Sequence, residues 1–349
     1  MGTPRFAETI LEKIIAAGYN VVAVFTQPDK KIGRKQKIAF SPVKNLAVGN
    51  KIKIFQPESL KDNSVAGEIK KINPDLIIVA AYGKILPKII LEAPKYGCIN
   101  VHASLLPKFR GASPVQGAIL EGEKETGITL IRMNEKMDEG DILIQKKIAI
   151  KEDNTAQSLS GKLGRLGSEM IIELIPDWIS GKIKPAKQDD RKATYCRVIK
   201  RDSGKIDWEE SAEKIYRKWK AYQPWPGVFT FFREGERMKQ LKLIEMKLPE
   251  LTHGVSVRFF GGAESPEAEK GAFIQRAYAR SFLRRGIKKA LETSAGEKVG
   301  KVIRYNKEIA VQTGVGLVIL KKIQPEGKKE MNIEEFLRGR KNFLDTKLE

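Results

Sequence analysis

Apolar side chains recur at Phe6, Ile10 and Ile14, with Leu11 and Ile15 beside them, which is the spacing of an amphipathic helix over residues 5–17. Polar breaks then bound four short β-branched runs: NVVAVFTQ (20–27), IKIFQP (52–57), PDLIIVAAYG (74–83) and YGCINVHAS (96–104). These read as buried strands, and helical stretches separate them. Strands alternating with helices predict an α/β domain built on a parallel sheet with helices on both faces. Sites in such sheets form outside the carboxyl ends of the strands. Residues 126–150 change character: two β-rich runs flank a polar turn, which predicts an antiparallel pair. A helix over 156–179 closes the domain, and the Gly- and Lys-rich stretch 180–208 reads as a linker.

Beyond it a Ser-capped helix (211–222) precedes several short strands at 241–248, 300–306 and 308–324, separated by Gly turns. That pattern predicts a small β-barrel. Residues 252–296 break it. Ile274, Tyr278 and Phe282 form one helical stripe there, and Arg276, Arg280, Arg284 and Lys288 the opposite one. Ser265-Pro266 followed by Glu267 and Glu269 marks a helix start.

Length and composition narrow the class. A chain of 349 residues with 41% hydrophobic content is long enough for about two domains. No apolar run approaches the roughly 20 residues that span a bilayer. The opening MGTPRFAETILEKII lacks the features of a secretory signal, and Phe6 stands where a myristoylation site wants Ser or Thr. Cys98 and Cys196, far apart, fit a reducing, cytoplasmic protein. Two cysteines and two scattered histidines do not make a four-ligand zinc site. The net charge of +21 favours polyanionic partners such as nucleic acid, although a solvated lysine-rich surface gives the same number.

Chemistry concentrates in INVHASLLPKFRGASP (99–114). Asn100 and His102, two apart on a strand, share a face. An amide and an imidazole there can hold an oxygen on which negative charge develops, and the imidazole can move a proton near neutral pH. The turn MNEKMDEGDI supplies a carboxylate to orient it, from Asp138, Glu139 or Asp141. The same residues also read as a satisfied strand-end histidine beside a solvated acidic turn.

NVHASLLPKFRGASPVQGAIL, taken with TGITLIRMNEKMDEGDIL, resembles the formyltransferases that use 10-formyltetrahydrofolate. The segments FTQPDKKIGRKQKIAFSPVK, PDLIIVAAYGKILP, ATYCRVIKRDSGKIDW, QPWPGVFTFF and QTGVGLVILKKIQPEGKKEM narrow the resemblance to the methionyl-tRNA formyltransferases. It covers most of the chain apart from 252–296. The resemblance implies a Rossmann-like, mostly parallel sheet domain followed by a small OB-type β-barrel. Their bounds would be 1–182 for the catalytic domain, 183–204 for the linker and 205–349 for the tRNA-binding domain, with 252–296 inserted. It implies formyl transfer from 10-formyltetrahydrofolate to the α-amine of initiator methionyl-tRNA by a cytoplasmic monomer with no metal and no membrane attachment.

By the same resemblance, Asn100 and His102 would polarise the formyl carbonyl, and Asp138 would pair with His102 and help deprotonate the amine through water. Ser104, Leu105, Leu106 and Pro107 would shape the folate pocket, and Tyr82 and Gly83 would line its pterin side. Lys30, Lys31, Arg34, Lys35 and Lys37, around Gly33, would meet the tRNA acceptor end. The family also has a strand before MGTP, so either the true start lies upstream or the sheet is built without its middle strand. His253 carries no assignment. Two other readings remain: a formyltransferase for a small amine (an amino sugar or a purine precursor), and an inactive RNA-binding relative.

Overall fold

The computed structural model describes residues 1–32, 37–249 and 299–349. Arg34, Lys35 and the stretch 252–296 with its two stripes, Ser265 start and His253 lie outside the described residues. The described chain forms two compact units, 1–203 with 220–226, and 204–219 with 227–349.

In the first unit, α1 (Arg5–Ala16) buries Phe6, Ala7 and Ile10 and packs on the long α6 (Ala156–Ile179). Between them run β1 (Val24–Phe25), the hairpin β2 (Lys30–Ile32) and β3 (Lys37–Ala39), α2 (Pro42–Gly49), β4 (Ile54–Phe55), α3 (Asn63–Ile72), β5 (Ile77–Val79), α4 (Lys88–Leu91), β6 (Cys98–His102), β7 (Arg110–Gly111), α5 (Pro114–Glu121), β8 (Glu125–Arg132) and β9 (Asp141–Ala149). Local signals set the helix starts. Ser41 accepts from Lys44 N, Asp62 accepts from Ser64 N, and Thr155 with Ser158 forms a capping box ahead of α6.

β4 pairs parallel to β1, and β5 parallel to β6, while β8 and β9 add antiparallel strands beyond β6. The parallel core and the antiparallel pair at 125–149 match the sequence pattern. Met1 and Gly2 stand between the two parallel pairs. Gly2 N donates to Phe25 O at 2.9 Å, Ala80 N donates to Met1 O at 2.9 Å, and Gly2 bridges Ala80 in parallel. Ahead of that bridge, residues 20–24 and 74–78 border a largely apolar cavity of about 340 Å³ that also touches Ile10, Ile14 and Ile175. β1 is two residues long where the sequence suggests eight, and β4, its ladder partner, is equally short.

Residues 183–203, expected as linker, belong to the first unit. Ala186 and Ile142 exchange backbone bonds of 2.7 and 2.9 Å, and β10 (Tyr195–Cys196) pairs parallel to β7. This strap carries enough backbone pairing to order it despite its polar composition.

The second unit opens with α7 (Ala212–Ala221), whose last residues return to the first unit. Strands β11 (Val228–Glu234), β12 (Arg237–Lys247), β13 (Val302–Tyr305), β14 (Glu308–Gln312), β15 (Leu317–Pro325) and β16 (Met331–Asn332) form one antiparallel sheet, followed by α8 (Ile333–Arg338). The last residues of the chain join its outer strands: Phe231 and Glu349 exchange 2.9 Å bonds, and Val302 N donates to Thr346 O. The result is a closed antiparallel barrel. Its core includes Phe232, Phe336 and Phe343 in mutual edge-to-face contact, the geometry aromatic quadrupoles prefer.

Candidate active site

β6 is buried at both ends with Asn100 half-buried between, and its period of two sends Asn100 and His102 to one face. Parallel pairing of Val79 with Asn100 brings the carboxyl ends of β5 and β6 side by side. From the other edge of β6, Ile131 pairs with Asn100 and Thr129 with His102. The turn after β8 then returns Asp138 to this face.

Three groups converge there. Asn100 Nδ2 donates to Asp138 Oδ1 at 3.1 Å, and His102 Nδ1 lies 3.5 Å from the same oxygen. Gly111 N–H donates to Asp138 Oδ2 at 2.8 Å. Burial pushes the Asp138 carboxyl up, but His102, Gly111 and Asn100 together outweigh it and hold the carboxyl below its ordinary value. Asp138 is therefore an ionised carboxylate at neutral pH. The other ring nitrogen of His102, Nε2, is 3.0 Å from Phe109 O. Both ring nitrogens thus face acceptor oxygens. Asn100 has two N–H groups, and only one is committed among the described residues.

The loop after β6 is pinned from below. Thr129, fully buried, accepts from Leu106 N at 3.1 Å and donates to Ser104 O at 2.7 Å, while Gln145 Nε2 donates to both Thr129 Oγ1 and Leu106 O. Ser104 is itself fully buried and donates to Lys108 O at 2.6 Å, so its hydroxyl shapes the turn from inside. Leu106 is buried, Leu105 and Pro107 are half-buried, and the Leu106–Pro107 peptide is cis. Gly83, exposed at φ 78°, and Tyr82 follow β5. The Tyr82 ring packs in an apolar cluster with Phe25, Leu86, Ile90 and Cys98. Its hydroxyl is buried without a partner, and burial pushes its pKa up to about 12. The Tyr82 carbonyl takes a 2.9 Å bond from Gln27 Nε2.

Of the basic loop, Lys30 is exposed on β2, and Lys31 and Lys37 lie at paired positions of the β2–β3 hairpin. The hairpin base is anchored by Asp29, which takes bonds from Lys44 Nζ at 2.5 Å and Gln56 Nε2 at 2.9 Å.

Arg110 and Gln188 carry no sequence signal of their own yet stand directly behind the site. Arg110 is 1% exposed and bonds Gln188 and Asp190, with Glu139 at 3.7 Å. A basic residue in a polar loop reads as solvated, and only the strap folding over it makes it a core residue.

Comparison with known proteins fits this geometry. Residues 1–175 match the formyl transferase family and residues 198–341 match the formyl transferase C-terminal domain. The chain is 42% identical over 340 residues to a methionyl-tRNA formyltransferase of Caldanaerobacter subterraneus, covering 97% of this chain and 95% of the relative. It is 40% identical over 343 residues to one of Caldicellulosiruptor saccharolyticus, covering 98% and 96%. Among solved structures, a sugar 3N-formyl transferase determined in the presence of dTDP and 5-N-formyl-THF aligns with a TM-score of 0.56 at 20% identity, over 94% of this chain and 97% of that one. An N-formyltransferase from Helicobacter canadensis aligns at 0.54 and 19% identity, over 91% and 96%. At those identities the structures share the fold.

Proposed function

The chain belongs to the formyl transferase family, and from that premise we propose that it moves a formyl group from 10-formyltetrahydrofolate to the α-amine of methionyl-tRNA. The observation that carries the reading is the convergence of Asn100, His102 and Asp138 at the carboxyl end of β6. Full-length relatives at 37–42% identity, all methionyl-tRNA formyltransferases, support this acceptor. The sugar formyl transferases share only the fold, at about half that identity.

The chemistry follows from the donors present. The amine attacks the formyl carbon, a C–N bond forms, and the carbonyl oxygen takes on negative charge. The uncommitted Asn100 N–H and a His102 N–H supply donors for that oxyanion; Phe109 O now occupies the acceptor position at His102 Nε2. Asp138, ionised and buried, accepts the proton the amine loses, directly or through one water. Collapse of the adduct breaks the bond to the folate nitrogen, which leaves with a proton. The folate binds as a substrate at the loop 104–107 and the backbone of 82–83. The basic residues 30–37 meet the acceptor end of the tRNA, where Lys and Arg neutralise phosphates.

The test is transfer of labelled formyl from 10-formyltetrahydrofolate to methionyl-tRNA, with uncharged tRNA, free methionine and an amino-sugar nucleotide as parallel acceptors. Label on the charged tRNA alone is the expected result. Label on the amino sugar, or on none of the four by a folded protein, overturns it.

A further inference from the structure

Asp138 works from an unfavourable place. It sits at φ 55° in the turn between β8 and β9, beyond the last ladder pair, Arg132 with Asp141. Left-handed backbone is uncommon for a residue with a side chain, although Asp adopts it more readily than most, and at Asp138 the surroundings hold it. One side chain does so here. Gln188 Nε2 donates to Asp138 O and to Gly140 O, both at 2.8 Å. Gln188 Oε1 accepts from Arg110 Nε at 3.1 Å and from Arg110 Nη2 at 2.8 Å.

The amide orientation is forced. A guanidinium only donates, so the amide oxygen must face Arg110 and the NH2 must face the two carbonyls. Arg110 is fixed in turn by Asp190 at 2.7 Å and by the Tyr195 hydroxyl at 3.3 Å. The strap that carries Gln188 is held on both sides, by the Ala186–Ile142 bonds and by the pairing of β10 with β7.

We infer that Gln188 is a positioning residue for the transfer: by gripping the backbone on either side of Glu139 it fixes the direction in which the Asp138 carboxylate meets Asn100 and His102. The inference rests on the assignment of Asp138 to the proton transfer. A strap that belongs in sequence to the interdomain stretch thereby becomes part of the catalytic unit.

The experiment uses the full chain with Gln188→Met, which keeps the shape and removes both donors, and Gln188→Glu, which keeps an acceptor for Arg110 and removes the donors. Two measurements are made. The first is kcat and KM against pH for methionyl-tRNA and 10-formyltetrahydrofolate. The second is the ring resonances of His102 in ¹⁵N-histidine-labelled protein; the chain has two histidines, and His253→Gln assigns them.

Both variants are expected to lose about ten- to a hundredfold in kcat with each KM within twofold, a loss of orientation rather than of binding. The acid limb of kcat moves to higher pH, because Asp138 keeps its burial and loses its partners. The charged and titratable groups around it are His102, Cys196, and Arg110 with Glu139 and Asp190; Gln188→Met leaves all of them in place, whereas Gln188→Glu adds a carboxylate of its own beside Asp138, so the acid limb is read in Gln188→Met. The His102 resonances move toward those of Asp138→Asn. An unchanged acid limb with unchanged His102 resonances overturns the inference, whether or not the variants are less stable. If wild-type protein transfers nothing to methionyl-tRNA, the acceptor assignment fails, and the histidine spectra still decide the role of Gln188.

Discussion

Replacing Asp138 by Asn tests the site most directly, because the two side chains have the same shape and differ in what they offer. The carboxylate takes Asn100 Nδ2 on Oδ1 and Gly111 N–H on Oδ2, with His102 Nδ1 at 3.5 Å from Oδ1. An amide has one oxygen. Turned toward Gly111, it sets its NH2 against Asn100 and His102; flipped, it sets its NH2 against Gly111. The first orientation faces two donors and the second one, so at least one donor loses its acceptor, at a cost of about 1–3 kcal/mol. Removing the charge relieves the burial penalty, which is the largest influence on this carboxyl. The net stability loss is then about 1–2 kcal/mol, or roughly 2–8 °C in Tm for a unit of this size. Loss of a general base costs about 10²–10⁴ in rate. Expected is therefore a kcat down by at least a hundredfold, with KM for methionyl-tRNA within twofold and the protein folded at 25 °C. The depressed pKa of Asp138 fixes the sign with pH. The carboxylate's stabilising contacts are fully present above about pH 4 and are lost as pH falls through the folded value, so wild type and Asp138→Asn converge in Tm in acid. A kcat within tenfold of wild type, or a KM that rises in step with the fall in kcat, would refute the assignment.

Gly111→Ala should be worse than its size suggests: φ is 116° and an added Cβ would lie 2.5 Å from Cys196 O. Strain of about 1–3 kcal/mol and the lost N–H to Asp138 should appear together as a lower Tm and a fall in kcat, and wild-type values of both would refute the close packing of β7 on β10. Glu234 in the barrel bonds Lys239 and Arg340, which hold its carboxyl at about 2. Because the group is a third exposed, screening limits the gain to about 1 kcal/mol; Glu234→Gln should lower Tm at pH 7, and the gap should close as pH falls from 4.5 toward 2. Arg34→Ala should raise KM for methionyl-tRNA by about tenfold through a lost phosphate contact and leave KM for the folate unchanged; the opposite pattern would remove the basic loop from tRNA recognition.

The legible parts of the fold were those with a local signal. β6 shows a run of apolar residues broken by Asn100 and His102 in period two, and the structure buries the alternate residues Ile99 and Val101. The antiparallel pair at 125–149 announced itself by a polar turn between apolar runs. What the sequence concealed depends on distant partners. Ser104 reads as a pocket residue but hydrogen-bonds within its own turn, because Thr129 draws that loop against β8. The Tyr82 ring reads as a pocket wall and instead fills a core cluster. The strap reads as linker because its ordering rests on backbone carbonyls of 138, 140 and 142, which no side-chain pattern encodes.

The turn MNEKMDEGDI offers three carboxylates, and the structure distinguishes them by what each faces. Asp141 opens β9 opposite Arg132, within the ladder. Glu139 turns the other way, toward the buried Arg110 at 3.7 Å and Lys136 at 3.4 Å. Only Asp138 reaches Asn100 and His102, and it does so because its backbone is left-handed, which aims it opposite to its neighbour. Gly140 makes that turn possible: a Cβ there would lie 1.9 Å from Arg132 O, so the chain can close back onto β8 only without one. The selection among three acids therefore rests on one glycine, one left-handed residue and the Gln188 amide that holds both in place.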